Sequence, residues 1–212
     1  MNVGIIGSGE VGQKLGDGFV ELGHKVMIGS RDTNKLAAWA GRHKGRASTG
    51  SFSQAAEFGD LVVIATSWTG TKSALEMAGG PKHFAGKVVI DVTNPLDFST
   101  MPPRLSVGCD DSAGEIVQRT LPNAKVVKAF NIIGNPHMFR PKFEEGTPTM
   151  FICGNDESAK KTVTDIVTAF GHDCVDIGGI EGSRMLEQLA MLWITYYFHT
   201  NTGNHAFKLL RK

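Results

Sequence analysis

The sequence predicts an α/β fold in which a doubly wound parallel sheet is followed by a small C-terminal helical lobe. Three observations indicate this fold. Short apolar runs alternate with amphipathic segments of helix length, several runs are apolar throughout, and a glycine-rich turn follows the first run. Strands that are apolar throughout, such as Leu61–Ala65, are typical of parallel sheets covered by helices on both faces. Regular alternation of strand and helix indicates the doubly wound arrangement.

The same patterns give the order of elements. Strands are predicted at Val3–Ile6, Lys25–Ile28, Leu61–Ala65, Lys87–Asp91, Lys125–Phe130, Thr149–Cys153 and Cys174–Ile177. Helices are predicted near Glu10–Leu22, Thr33–Gly41, Ser53–Glu57, Gly70–Met77, Ser112–Leu121 and Ser158–Phe170. A last amphipathic helix follows Ile180, with apolar residues at helical spacing at Leu186, Leu189, Trp193 and Tyr197. We therefore divide the chain into a sheet domain, residues 1–178, and a helical extension, residues 179–212.

A glycine motif follows the first strand. The segment Gly7-Ser8-Gly9-Glu10-Val11-Gly12 fits G-x-G-x-x-G. The first glycine permits a tight turn, the second lets a pyrophosphate approach the backbone, and the third lets the helix pack closely on the sheet. The helix that begins near Glu10 directs unpaired N–H groups and its positive dipole end towards the phosphates. The motif predicts a Rossmann-type dinucleotide site formed by all six residues.

The end of the second strand predicts which dinucleotide binds. NAD enzymes usually place an acidic residue there, about 20 residues after the glycines, to bind the ribose hydroxyls. This chain has Ser30 and Arg31 instead, and Lys35 follows. A hydroxyl and a guanidinium bind a 2′-phosphate that a carboxylate would repel. We therefore predict NADP(H), with the alternative that Arg31 is a solvated charge and Asp32 binds the ribose.

Ligands of such sheets lie at the carboxyl ends of the strands, so the residues after each strand are candidates for the site. Three loops bring polar groups to this edge. We predict cofactor contacts from Thr66, Ser67, Trp68, Asn94 and Asn131, and substrate contacts from Pro95, Leu96 and Ile133. The alternative is that the polar residues only cap helices and form turns.

The chain resembles the NADPH-dependent oxidoreductases that reduce the deazaflavin coenzyme F420. The similarity extends from residue 2 to about residue 210. Besides the glycine motif, it rests on Gly29-Ser30-Arg31, Ser112-Ala113-Gly114-Glu115-Ile116-Val117, Lys125-Val126-Val127 and Gly182-Ser183-Arg184. The resemblance implies one compact Rossmann unit with a small C-terminal lobe, often dimeric. It also implies that Ser30, Arg31 and Lys35 hold the 2′-phosphate, and that the loops 94–96 and 131–133 line the flavin-like ring.

One segment departs from this pattern. Val126–Asn131 is more similar to the cytosolic reductase domain of six-transmembrane metalloreductases, which pass hydride from NADPH to flavin and electrons on to iron or copper. The deazaflavin enzymes tend to carry histidine where this chain has Asn131. The acceptor therefore stays open between coenzyme F420, FMN, FAD and some other acceptor.

Composition and cysteine spacing argue against nucleic-acid binding, membrane insertion and metal binding. The chain is 41% hydrophobic and 20% charged, with a formal net charge of +1, which favours neither nucleic acid nor a membrane surface as a partner. Three widely spaced cysteines form no metal motif and suit a reducing compartment, so we expect a cytoplasmic protein without a metal site. No segment is apolar enough for membrane insertion. The apolar C-terminal helix either packs in the core, closes over the substrate or forms a dimer interface, and the frequency of two-fold dimers favours a homodimer.

The function that we predict is hydride transfer between NADP(H) and a small redox cofactor. No motif for nucleophilic, metal-dependent or phosphoryl-transfer catalysis is present, and we assign no catalytic acid or base. His137 either donates to the acceptor ring or lies at the surface, and Arg184 anchors either a phosphate or the C-terminal lobe. Two alternatives are an NADPH-dependent dehydrogenase of a small carbonyl or imine, and a non-catalytic NADP(H) sensor.

Overall fold

The computed structural model describes residues 1–211. The strands are β1 (Asn2–Ile6), β2 (Lys25–Gly29), β3 (Ala47–Gly50), β4 (Leu61–Ile64), β5 (Val88–Asp91), β6 (Leu96–Asp97), β7 (Arg104–Leu105), β8 (Lys125–Lys128), β9 (Thr149–Gly154) and β10 (Asp173–Asp176). The α-helices are α1 (Glu10–Glu21), α2 (Ala37–Gly41), α3 (Phe52–Phe58), α4 (Trp68–Met77), α5 (Pro81–Phe84), α6 (Ala113–Thr120), α7 (Glu157–Ala169) and α8 (Ser183–Thr200). Short 3₁₀ turns precede α2 and α8, and a third lies between β8 and β9.

Eight strands form one sheet in the order β10-β9-β8-β5-β4-β1-β2-β3. Six of them, from β8 to β3, are parallel and have the strand order of a Rossmann fold. The predicted α/β class and doubly wound topology are therefore confirmed. The order reverses between β1 and β4, so the loops that follow these two strands form a crevice at the carboxyl edge.

The last two strands depart from the predicted parallel sheet. β9 pairs antiparallel with β8, and β10 pairs parallel with β9, so both run against the other six. A parallel connection needs a crossover that returns the chain to the opposite edge of the sheet. Residues 129–148 contain only a 3₁₀ turn at Asn135–His137, so the chain stays at the carboxyl edge and β9 starts there.

Three strands were missing from the prediction. β3 pairs with β2 at the edge of the sheet, and its sequence, Ala-Ser-Thr-Gly, has no apolar run that could have revealed it. β6 and β7 form a separate antiparallel hairpin of two residues each. Such short pairings give no periodic signal, because their stability comes from contacts with other parts of the chain.

The C-terminal helix packs on the sheet domain through one narrow face. Leu186 and Ala190 are buried within the hydrophobic core, whereas Tyr197, the last residue of the predicted apolar stripe, is exposed. Trp193 stacks on His205 at 4.3 Å between ring centroids, so the chain after α8 covers that part of the helix. The boundary between residues 178 and 179 stays a prediction. Within residues 1–211, no helix has the length and apolarity needed to cross a bilayer.

Candidate functional site

The glycine loop between β1 and α1 has the backbone that a phosphate site requires. Gly7 has a φ of +127°, a conformation that side chains rarely adopt, and a Cβ at Gly12 would overlap the carbonyl oxygen of Gly7. A Cβ added at Gly9 would meet no atom of the described residues within 4 Å. Gly9 also precedes the first residue of α1, Glu10, so the unpaired N–H groups of the helix lie beside this space. The loop therefore fits a dinucleotide pyrophosphate.

The end of β2 forms one side of a cleft of about 330 Å³ that also includes the glycine loop. The side chains of Arg31 and Lys35 are exposed there and form no ion pair with any residue that the structure describes. Asp32 caps the 3₁₀ turn at Thr33, since its carboxylate accepts a hydrogen bond of 3.1 Å from the Asn34 N–H. This contact uses one oxygen of Asp32, which is exposed and lines the same cleft, so the alternative that Asp32 binds the ribose stays open.

Ser30 connects the two parts of this cleft. It is buried, and its hydroxyl donates to the Ser8 hydroxyl at 3.1 Å and accepts from the Asp32 N–H at 3.1 Å. The glycine loop and the end of β2 are therefore joined directly. The predicted Ser8, Ser30, Arg31 and Lys35 come together with the glycines in one place.

A second cleft, of about 810 Å³, adjoins the first along β4 and the start of α4. Thr66, Ser67 and Trp68 line it, together with Gly9, Glu10 and Val11 from the first helix. The Thr66 hydroxyl lies 2.8 Å from the Thr71 hydroxyl, which in turn donates to the Ser67 carbonyl. These bonds fix the start of α4, where Thr66 and Ser67 line both clefts.

The predicted residues of the other two loops divide into two groups. Asn94 and Leu96 line the larger cleft, whereas Pro95, Asn131 and Ile133 are not among the described residues of its wall. Asn131 is only 6% exposed, and its amide donates to the Asn94 side chain at 3.0 Å and to the Leu186 carbonyl at 3.0 Å. Asn131 therefore lies behind the cleft, where it connects the Asn94 loop to α8.

Sequence reasoning missed several residues of the larger cleft. Asn135 lines it and donates to the Glu10 carboxylate at 2.8 Å, which joins the β8–β9 connection to α1. The hairpin contributes Asp97, Phe98 and Ser99. Asn135 reaches the cleft through a contact with a segment far away in the chain, whereas residues 97–99 directly follow the predicted Leu96 in a hairpin that was not predicted.

The only ionisable side chains among the described residues that line the larger cleft are Glu10 and Asp97. Both are engaged: Glu10 accepts from Asn135, and Asp97 pairs with Arg104 at 3.0 Å. Hydrogen bonds from the Ser99 backbone and hydroxyl, together with Arg104, hold the pKa of Asp97 below its usual value. The cleft can therefore position and shield ligands, and both of its carboxylates already accept hydrogen bonds.

A fully buried ion cluster lies directly beneath the cleft. The Lys128 ammonium at the end of β8 contacts Asp91 at 2.7 Å and Glu187 at 2.8 Å, and none of the three side chains is more than 1% exposed. The second oxygen of Asp91 accepts from the backbone and hydroxyl of Thr93 at 3.0 and 2.7 Å. Because Thr93 lines the larger cleft, the cluster fixes part of its wall.

The cluster is balanced by the amino end of α6. Glu187 accepts from the N–H groups of Ala113 and Gly114 at 3.0 and 3.1 Å, so the helix dipole offsets the second carboxylate. Burial alone would lower the pKa of Lys128, but Asp91 and Glu187 raise it above its usual value, which keeps the ammonium charged. Burial raises the pKa of Glu187, and the contact with Lys128 opposes this effect.

Arg184 anchors the C-terminal helix. Its guanidinium binds the Glu115 carboxylate through two nitrogens, at 2.8 and 2.6 Å, and so joins α8 to α6. Of the two roles considered for Arg184, these contacts favour anchoring of the lobe over phosphate binding. His137 lies outside the described lining of both clefts, and its ring lies 3.2 Å from the Asn204 side chain.

Comparison with known proteins identifies the family. Residues 2–95 match the family model described as NADP oxidoreductase, coenzyme F420-dependent. A crystal structure from Arthrobacter sp. FB24, described as a candidate F420-dependent NADP-reductase, is 37% identical, with a TM-score of 0.94 over 100% of both chains. The chain belongs to this family. The members of this family are oxidoreductases that use NADP. This chain is therefore an NADP-dependent oxidoreductase.

Two curated relatives are similar to this chain over most of its length. The F420-dependent NADP reductase of Methanocaldococcus jannaschii is 29% identical over 81% of this chain and 81% of its own length. The metalloreductase STEAP3 of Rattus norvegicus is 28% identical over 89% of this chain. The chain spans only 36% of that metalloreductase. Both similarities agree with the two resemblances expected from the sequence.

Proposed function

We propose that this enzyme transfers hydride between NADPH and the planar ring of a deazaflavin or flavin, with coenzyme F420, FMN and FAD as candidate acceptors. The observation that carries the proposal is the cationic group at the end of β2. Arg31 and Lys35 are exposed in the smaller cleft, and the nearby Asp32 is engaged as a helix cap. A 2′-phosphate forms ion-paired hydrogen bonds there, whereas the 2′-hydroxyl of NAD has no negative charge to pair with these cations.

The glycine loop supports the pyrophosphate in this proposal. The open side of Gly9 and the amino end of α1 provide N–H donors and a positive dipole. Ser8, Val11 and the backbone of Thr66 and Ser67 continue the binding surface from the smaller cleft into the larger one. This path is the one along which a bound dinucleotide would extend from its 2′-phosphate to its nicotinamide.

The larger cleft suits the two rings. Trp68, Val92 and Leu96 give it apolar surface, and Asn94 and Ser67 supply a few polar groups for orientation. Pro95, Asn131 and Ile133 act from behind this wall in our proposal, because they support the loops that carry Asn94 and Leu96. Asn131 does so through its bonds to Asn94 and Leu186.

The chemistry that we propose needs little from the side chains. NADPH supplies the hydride from its nicotinamide ring when it is bound. The protein holds the two rings in contact and excludes water, which is the main contribution of a protein to hydride transfer between cofactors. The two ionisable side chains that we find in the larger cleft, Glu10 and Asp97, are both engaged, so we assign no acid–base catalyst.

Two findings bear on the acceptor. The names of the Methanocaldococcus and Arthrobacter relatives favour coenzyme F420. The similarity to metalloreductases keeps FMN and FAD as candidates, although the chain spans only 36% of such a protein. We therefore place coenzyme F420 first.

The experiment mixes the purified enzyme and NADPH with F420, FMN, FAD or a ferric chelate in turn, and follows the loss of NADPH absorbance. We expect reduction of F420 or a flavin, with NADH a poor donor in parallel assays. Tight NADPH binding without reduction of any ring would contradict the proposal and favour a sensor. Reduction of a small carbonyl or imine alone would favour a dehydrogenase.

A further inference from the structure

The hairpin formed by β6 and β7 contributes an unusual wall to the larger cleft. Phe98, at its turn, is 63% exposed and yet lines the cleft. A large aromatic side chain left in water loses the free energy that burial would provide, so a ligand that covered Phe98 in this wall would gain that free energy. The sequence analysis predicted Leu96 at the start of this wall but not the hairpin that continues it.

The turn that carries Phe98 is held firmly. Asp97 accepts hydrogen bonds from the Ser99 N–H at 2.8 Å, the Ser99 hydroxyl at 2.9 Å and the Arg104 guanidinium at 3.0 Å. The two bonds from Ser99 join the residues on either side of Phe98, and the Arg104 bond joins Asp97 to β7. The backbone of Phe98 is therefore fixed before any ligand binds, which lowers the entropic cost of contact.

The base of the hairpin is equally fixed to the cleft. The Pro95 carbonyl accepts from the Ser106 N–H at 2.7 Å and from the Ser106 hydroxyl at 3.0 Å. Leu96 and Ser106 both line the cleft, so the base of the hairpin is part of the cleft wall. Phe98 is thus held at the cleft by both ends of the hairpin.

From this geometry we infer that Phe98 is a stacking surface for the planar ring of the hydride acceptor. Trp68 lines the same cleft, and a flat aromatic ring is the ligand whose faces such side chains cover best. The inference rests on the proposed function and extends it, because it assigns the acceptor half of the cleft to the hairpin. The ligand class is a planar heteroaromatic ring, with no requirement for charge at this wall.

The test compares Phe98→Ala with Met101→Ala. Met101 lies on the same hairpin and is 66% exposed, but it is not among the described residues that line the cleft. The readouts are the Kd of FMN and of F420, measured by fluorescence with NADP⁺ present, and the Kd of NADPH measured separately. We expect Phe98→Ala to weaken ring binding about tenfold and to leave NADPH binding unchanged. Phe98→Trp, which keeps an aromatic face, should bind the ring as the wild type does. Met101→Ala should match the wild type.

The outcomes separate this inference from the proposed function. If the wild type reduces a ring acceptor but Phe98→Ala binds that ring as well as the wild type, the inference is wrong and the proposed function stands. If Phe98→Ala selectively weakens binding of a planar ring that the enzyme binds but never reduces, the stacking role of Phe98 stands and the proposed hydride transfer to that ring fails. Equal effects of Phe98→Ala and Met101→Ala would overturn the inference, because they would indicate that the whole hairpin tip contacts a larger partner.

Discussion

Arg31 is the residue on which the choice between NADPH and NADH depends in our proposal. We predict that Arg31→Ala raises the KM for NADPH about 10- to 100-fold, because one charge-assisted hydrogen bond contributes about 1.5–3 kcal/mol. The KM for NADH should change little, since NADH has no 2′-phosphate. Steady-state kinetics with both donors measures the difference. Arg46→Ala is the control. Arg46 is exposed and comes just before β3, so it lies at the amino edge of the sheet, away from the carboxyl edge that holds the clefts. A similar rise in both KM values would contradict the assignment.

His172 makes stability depend on pH. It is 3% exposed, its Nε2 lies 3.0 Å from the Met138 carbonyl, and its Nδ1 has no partner among the described residues. Burial lowers the pKa of His172 below its usual value, because the folded protein disfavours the protonated ring. The fold is therefore more stable when the ring is neutral than when it is protonated. This stabilisation is present above about pH 6.5, the pKa of the unfolded chain, and is lost as the pH falls towards the lower pKa of the folded state.

We therefore predict that His172→Phe reduces the loss of unfolding free energy between pH 7.5 and pH 5, measured by urea denaturation. One proton contributes a slope of at most about 1.4 kcal/mol per pH unit. The variant will be less stable at pH 7.5, because the Met138 carbonyl loses its donor, but its curve should be flatter. His199→Gln, at an exposed position, should keep the wild-type slope. An unchanged slope in His172→Phe would assign the acid sensitivity to other groups.

At the residue scale, the positions that could be predicted are those whose role depends on the adjacent backbone. Gly7 and Gly12 follow from the turn itself, and Arg31 follows from its place after β2. Asn135 and Phe98 could not be predicted, because a contact to Glu10 and a separate hairpin bring them to the cleft. Asn131 follows a strand like the other candidates, and only the fold shows that its side chain binds α8.

The ion cluster under the cleft connects three elements: β5, β8 and α8. We predict that Lys128→Met lowers the free energy of unfolding by about 3–5 kcal/mol, because it leaves two buried carboxylates without their cation. Lys125→Met is a matched control on the same strand. Lys125 pairs with Asp156 where both side chains are about one-third exposed, so its loss should cost no more than about 1 kcal/mol. Urea denaturation at neutral pH compares the two variants, and equal losses would contradict a special role for the cluster.

The cluster also shows why elements could be predicted better than their connections. Apolar runs reveal β1, β4 and β5, because each is buried on both faces. The reversal of β9 could not be predicted, since it depends on a connection that stays at one edge of the sheet. Lys128 lies inside a predicted strand, yet its buried charge becomes intelligible only when Asp91 and Glu187 are placed beside it.

At the scale of the whole molecule, α8 leaves an apolar stripe uncovered. Met185, Leu192 and Tyr196 are exposed, and Leu189 between them is partly buried. Their spacings of four, three and four residues are those of a helix that packs along another helix. A second copy of the chain presents the same stripe, and a two-fold axis brings the two stripes together as a self-complementary surface. The homodimer expected from the sequence therefore stays our prediction, now with a defined interface.

Size-exclusion chromatography with light scattering tests this interface at micromolar protein concentration. We expect the wild type to have twice the mass of one chain, and Leu192→Glu to be monomeric, because two carboxylates would be buried against apolar surface. Lys161→Glu on α7, where the side chain is exposed, is the control and should stay dimeric. Because no described residue of α8 lines either cleft, the monomeric variant should still bind NADPH. A wild-type monomer would refute the dimer, whereas a monomeric variant that no longer bound NADPH would show that dimerisation supports the site.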